Sequence, residues 1–172
     1  MITGIASSII ALCALLFSFW QGHITRKHNR ISVKPHLTTW EESNPQEGHY
    51  KVALHNNGIG PALIKNFTIK VDGEIIEGEK TEKIEKALEI LFPNLGYTSN
   101  HSWFQEGYAM SANEGKTIVE ISFQNPEKVN PSVVKSAIER ADVIVEYESM
   151  YGEKFTFDSK KLKSNNMLHA GN

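Results

Sequence analysis

YKVALHNNGIGPALIKNFTIKVDG, residues 50–73, is the stretch whose reading decides the fold of this chain. Tyr50, Val52 and Leu54 alternate with Lys51, Ala53 and His55. A period of two puts successive side chains on opposite faces, which describes a strand with one buried side. Asn56, Asn57, Gly58, Ile59, Gly60 and Pro61 interrupt the pattern with residues that tolerate positive φ or fix φ, the chemistry of a turn. Ile64, Phe67, Ile69 and Val71 build a second strand, closed by Asp72-Gly73, a strong hairpin dipeptide. Ile75 and Ile76 begin a short return.

Strand patterns recur on both sides of this stretch. Residues 31–40 alternate, with Ile31, Val33 and Leu37 on one side, and Pro35 confines that strand to a sheet edge or its beginning. Residues 41–48 read as a turn, and 94–103 as irregular. Val119, Ile121 and Phe123 form a strand, as do Val143, Val145 and Tyr147, the latter joined through residues 149–153 to Phe155 and Phe157. Two segments change period. Ile84, Ala87, Leu88 and Leu91 fall at i, i+3, i+4 and i+7, predicting a helix with Thr81 as N-cap and Pro93 as its stop. Asn130-Pro131 caps a second short helix carrying Val134, Ala137, Ile138 and Ala141.

The amino-terminal end is of another kind. Ile2 to Trp20 carries no charge, and as a helix it reaches roughly 28 Å, close to the hydrocarbon thickness of a bilayer. No Lys or Arg precedes it and no small-residue cleavage pattern follows, so the expectation is an uncleaved transmembrane anchor rather than a signal peptide. Trp20, Arg26, Lys27, Arg30 and Lys34 form the membrane flank. Basic flanks stay on the cytoplasmic side, which predicts the amino terminus outside and the domain inside; a periplasmic domain is the alternative, since long domains translocate largely regardless of charge. Gly4, Ser7, Ala11, Ala14 and Ser18 make a small-residue stripe, a candidate helix-packing face or a chance feature of an Ala/Ser-rich span.

These readings divide the chain into an anchor (1–21), a basic linker (22–30), a β domain (31–158) and a flexible tail (159–172). Setting aside the four flank cations leaves 14 Lys and Arg against 20 acids, about −6, a poor match for nucleic acid. The only cysteine, Cys13, lies in the span, so the domain can form no disulfide and no cysteine-based zinc site.

Chemical signatures are missing from the pattern. Gly58-Ile59-Gly60-Pro61 lacks the third glycine and following helix of a dinucleotide loop, and the Lys-Ser/Thr of a P-loop. Asn56, Asn57, Gly58, Gly60, Pro61, Asp72 and Gly73 therefore read as structural turn residues. The seven histidines (23, 28, 36, 49, 55, 101 and 169) form no H-x-x-x-H pair, and no G-x-S-x-G elbow occurs. No catalytic residue, metal ligand or cofactor is expected. Tyr97, His101, Trp103, Phe104 and Tyr108 form the richest aromatic segment, a candidate partner surface or core packing.

The run VALHNNGIGPALI (52–64), followed by a strand and Asp-Gly, resembles the strand–Asn-x-Gly–strand signature of immunoglobulin-like adhesion and CARDB-type modules. With the anchor, the basic linker around HNRISVKP (28–35) and a late Tyr-Gly-Glu hairpin, the chain is similar to bacterial single-pass membrane proteins that have no established activity. The resemblance implies a mainly β protein: a transmembrane helix, then an immunoglobulin-like β-sandwich with two short helical insertions. The expected function is a membrane-anchored, non-enzymatic interaction module at the cytoplasmic face of the inner membrane, with the bilayer and one protein as partners. One alternative is a hydrolase or nucleotide-binding enzyme whose site is assembled from distant residues. Another is a subunit of a larger membrane complex or homo-oligomer joined through its transmembrane helix.

Overall fold

The uncharged run 2–20 has no alternating polar period, and it satisfies its backbone as a helix that continues through its basic flank to residue 31. In the computed structural model, which describes residues 2–161, α1 (Ile2–Ile31) is a single helix of 30 residues. It includes the one helix among the described residues that is long and apolar enough to cross a membrane, and none of that apolar segment is buried against the domain. The predicted linker 22–30 is thus helical, and α1 makes the whole chain mixed rather than mainly β.

The predicted strand over 31–40 is corrected. Ile31 still belongs to α1 and stands exposed, the Ser32 amide donates to the His28 carbonyl at 2.9 Å, and β1 begins only at Leu37 (Leu37–Asn44). Pro35 explains the break: it has no N–H to donate, and it pushes the preceding residue out of helical geometry. β1 also runs further than the turn composition of 41–48 indicates, because each residue to Asn44 pairs with β2 (His49–Asn56).

β3 (Ala62–Val71) and the two-residue β4 (Glu74–Ile75) form the expected hairpin. Asp72 and Gly73 both have positive φ, 53° and 89°, which suits the right-handed twist of the flanking strands. α2 (Glu82–Leu91) buries Ile84, Ala87, Leu88 and Leu91 as its spacing demands. Thr81 stands at the N-cap position, but its side chain makes no capping bond. Asn130 does cap α3 (Pro131–Arg140), accepting from the Ser132 amide at 2.9 Å. Arg140 closes α3 onto the hairpin turn with a two-pronged ion pair to Asp72, at 2.8 and 2.6 Å. That hydrogen bond holds the Asp72 carboxyl below its ordinary value.

The segment read as irregular contains β5 (Tyr97–His101), paired along β7 (Gly115–Phe123) from Tyr97–Phe123 to His101–Val119. An edge strand fully exposed at its three central positions shows no alternation for a sequence reading to detect. β6 (Ala109–Met110), β8 (Ala141–Glu148) and β9 (Lys154–Asp158) complete the set.

Two antiparallel sheets result, ordered β1-β2-β7-β5 and β4-β3-β8-β9, with β6 added beside β3. Leu54, Ile118 and Ile121 from the first sheet share one core with Ile64, Phe67 and Val145 from the second, and α2 contributes Leu88. The predicted tail begins inside the fold: Ser159 is buried, and its hydroxyl accepts from the Val143 amide at 2.9 Å. Its remainder, 162–172, lies outside the described residues.

Candidate functional site

Asn56 ends β2 with its side chain wholly buried, and its amide group is the hub of the turn read from the sequence. Oδ1 accepts from the backbone amides of His36 and Gly58, each at 3.1 Å. Nδ2 donates to the carbonyls of Gly60 at 2.9 Å and of Met110 and Ser111 at 3.1 Å, so two hydrogens serve three acceptors. One side chain therefore joins three segments: the linker after α1, the loop 57–61 and the turn after β6.

Backbone bonds reinforce the junction. The Asn57 amide donates to the His36 carbonyl at 2.8 Å, and the Ile59 amide to that of Lys34 at 3.2 Å. The Asn57 side chain reaches the Thr38 hydroxyl at 2.8 Å. On the other side, the Asn56 amide donates to the Glu114 carbonyl and the Asn113 amide to that of Asn56. Gly58 and Gly60 are buried beneath the linker, where an added Cβ would overlap the backbone of residues 33–36. Pro35 is buried in the same contact. The sequence reading assigned Asn56, Gly58 and Gly60 to turn geometry alone; the structure shows that the turn also grips the linker. Val33 and Pro35 were read only as part of an edge strand and His36 only as one of the histidines, because a contact about 20 residues apart leaves no periodic trace.

Cations continue the attachment. Lys34 Nζ lies 5.3 Å from the Phe155 ring centre, and the Arg30 guanidinium 5.9 Å from that of Tyr151. Tyr151 lies in the β8–β9 turn and Phe155 at the start of β9, so the last turn of α1 and the linker lie against that hairpin. Among the flank residues, Trp20 stands 68% exposed on α1. Arg26 and Lys27 face a crevice beside Tyr151.

The aromatic segment divides. Phe104 is buried in the core, its ring 5.1 Å from that of Phe67 and 6.0 Å from that of Tyr108. Tyr97 packs edge-on to Phe92 and Phe123. Trp103 is half-buried. His101 Nε2 lies 3.1 Å from a Glu85 carboxylate oxygen, while its Nδ1 is buried without a hydrogen-bond partner among the described residues. Tyr108 donates a short hydrogen bond to Glu114, under an ammonium group: Lys116 Nζ is 4.2 Å from its ring centre. Burial, and then the Glu114 carboxylate, push the Tyr108 phenol up to about 12, while the same bond draws Glu114 down.

Gly4, Ser7, Ala11, Ala14 and Ser18 are exposed on α1, and the Ser18 hydroxyl is occupied by the Ala14 carbonyl at 2.8 Å. Trp40 was not singled out either. It is 64% exposed on the outer face of β1, beside Lys51 and His55, and its alternation with Leu37 and Thr39 was the available signal. Between the sheets lies a cavity of about 100 Å³ lined almost wholly by apolar side chains, among them Ile69, Leu88, Ile121 and Val143. Neither histidine nor asparagine reaches it. No protein-family model, curated protein or solved structure matches this chain.

Proposed function

We propose that this chain is a membrane-anchored, non-enzymatic interaction module, with its β domain held at the cytoplasmic face of a bacterial inner membrane. The carrying observation is the way α1 is joined. An exposed apolar helix runs unbroken into its basic flank, and the following linker is gripped by Asn56, Gly58 and Gly60. A freely swinging tether would need no such grip. The attachment suits a domain that is held in a set orientation over the bilayer.

The strand order supports an immunoglobulin-like sandwich. Counted along the chain, β1-β2-β7-β5 corresponds to the order A-B-E-D, and β4-β3-β8-β9 to C′-C-F-G. α2 and α3 occupy the connections after C′ and before F. Such sandwiches present edges and loops to partners. Among the described residues β1 pairs only with β2, leaving an open edge beside the exposed Trp40.

The direct test is paired fusion of alkaline phosphatase and of a fluorescent protein after Asn172, in a bacterial host. Fluorescence without phosphatase activity is expected, from the basic flank at Arg26, Lys27, Arg30 and Lys34. Phosphatase activity without fluorescence would overturn the cytoplasmic placement. Trp40→Ala, at an exposed site, should leave the fold intact and abolish cross-linking to a specific protein; unchanged cross-linking would move the interaction surface elsewhere.

A further inference from the structure

His23, Arg26, Lys27 and Arg30 on the last turns of α1 share a crevice with Tyr151 and Glu153 of the β8–β9 turn. His23 precedes Arg30 by seven residues, so the crevice extends ~10 Å along the helix toward its apolar part. Its tip carries Met150 and Tyr151, 64% and 48% exposed, where hydrophobic side chains face outward next to cations. Glu153 is the one acid in the crevice, and its carboxylate accepts from the Ser149 hydroxyl at 3.3 Å. The balance is positive.

The depth is right for headgroups. Taking Trp20 as the edge of the hydrocarbon, Arg26 and Arg30 stand ~9 and ~15 Å above it. Side chains on a helix lean toward its amino terminus, and long basic ones extend to hold their charge in the polar layer. Guanidinium groups bind phosphate oxygens in pairs, and tyrosine favours the membrane interface.

We propose that this crevice binds the phosphate of an anionic phospholipid of the same bilayer, with Met150 and Tyr151 resting in the interface beside it. The inference rests on α1 being a membrane anchor, but it holds for either face of the membrane. It extends the attachment from the backbone grip to the lipid: the headgroup sets the tilt of the domain.

The test uses the full chain with Cys13→Ala and Met150→Cys, carrying an environment-sensitive fluorophore at position 150. It is reconstituted in discs of phosphatidylcholine containing increasing phosphatidylglycerol. Emission should shift to the blue as the anionic lipid rises, and added salt should reverse the shift. Arg26→Gln and Lys27→Gln should each raise the half-effective phosphatidylglycerol fraction by about fivefold. Glu153→Gln, which removes the opposing charge, should lower it. Emission that ignores lipid composition, or responds to none of the three substitutions, in a chain retained by carbonate-washed membranes would overturn the headgroup site alone. Loss of the chain from washed membranes would overturn the anchor reading, and the site with it.

Discussion

Gly60 lies directly beneath the carbonyl of Val33, so close that a Cβ on Gly60 would overlap the carbonyl oxygen. The contact explains a glycine with no need for positive φ: what Gly60 supplies is the absence of a side chain. It also ties the loop after β2 to the residues that connect α1 to β1, and so couples α1 to the β domain.

Gly60→Ala should therefore destabilise the domain by about 1–3 kcal/mol, the range for forcing extra atoms into a packed site. Thermal unfolding of the detergent-solubilised chain, followed by circular dichroism, measures the loss. Protease sensitivity at 31–37 should rise with it. Gly22→Ala is the control, since a Cβ there meets nothing within 4 Å. It should be neutral or mildly stabilising, as expected for alanine in a helix. Equal behaviour of the two variants would refute the close packing.

Asn56→Asp should cost about 3 kcal/mol or more at neutral pH. The substitution keeps shape but replaces the two amide hydrogens with a carboxylate facing the carbonyls of Gly60, Met110 and Ser111. Burial and these carbonyls raise the pKa of the introduced acid in the folded state, so the charge penalty is absent below the ordinary carboxylate range and grows as pH rises through and above it. Urea unfolding at acid and neutral pH measures this. A cost that does not change with pH would show that the carboxylate finds other partners.

Tyr108→Phe should lose about 1 kcal/mol by removing the bond to Glu114. The phenol is raised from 10 to about 12, so its contribution is complete below pH 10 and disappears as pH rises through 12. The stability gap between wild type and variant should close over that window, and the late-titrating part of the tyrosinate absorbance should be smaller by one tyrosine in the variant. A gap constant to high pH would place the effect in packing instead.

Ala11→Leu with Ala14→Leu tests the small-residue face of α1. If that face packs against another apolar helix, added bulk separates the backbones and association falls by about tenfold, equivalent to ~1.4 kcal/mol. A membrane two-hybrid assay reads the change. Unchanged association would leave the stripe as a consequence of composition.

Much of the architecture was legible in single residues. Asp72-Gly73 announced its hairpin, because few other dipeptides accept positive φ twice. Asn130 and Pro131 announced the start of α3, one supplying a side-chain acceptor and the other a preset φ. β5 was not legible: Thr98, Ser99 and Asn100 show no apolar alternation, and the pairing with β7 that holds them extended is not local. The first six residues of the strand expected over 31–40 misled for a related reason. Ile31 and Val33 alternate, but no neighbouring strand is available there; the helix runs on through Ile31, and Pro35 prevents it from continuing further.

The candidate site divides in the same way. Periodicity and charge are local properties, written every two, three or four residues, so the apolar α1, its basic flank and the strands of residues 50–71 could be read from the chain alone. The turn chemistry of Asn56 through Pro61 could be read too, but not what the turn holds. Its hydrogen bonds run to His36 behind it and to Met110 and Ser111 ahead, across spans of 20, 54 and 55 residues. Tyr151 meets Arg30 across a longer span still. Such contacts depend on the order in which strands pair, and that order is settled by burying both sheets on one core rather than by any local preference. The sequence by itself determined a long apolar helix, a strand-rich domain and a special turn; only the tertiary structure decided that the turn grips the segment that follows that helix.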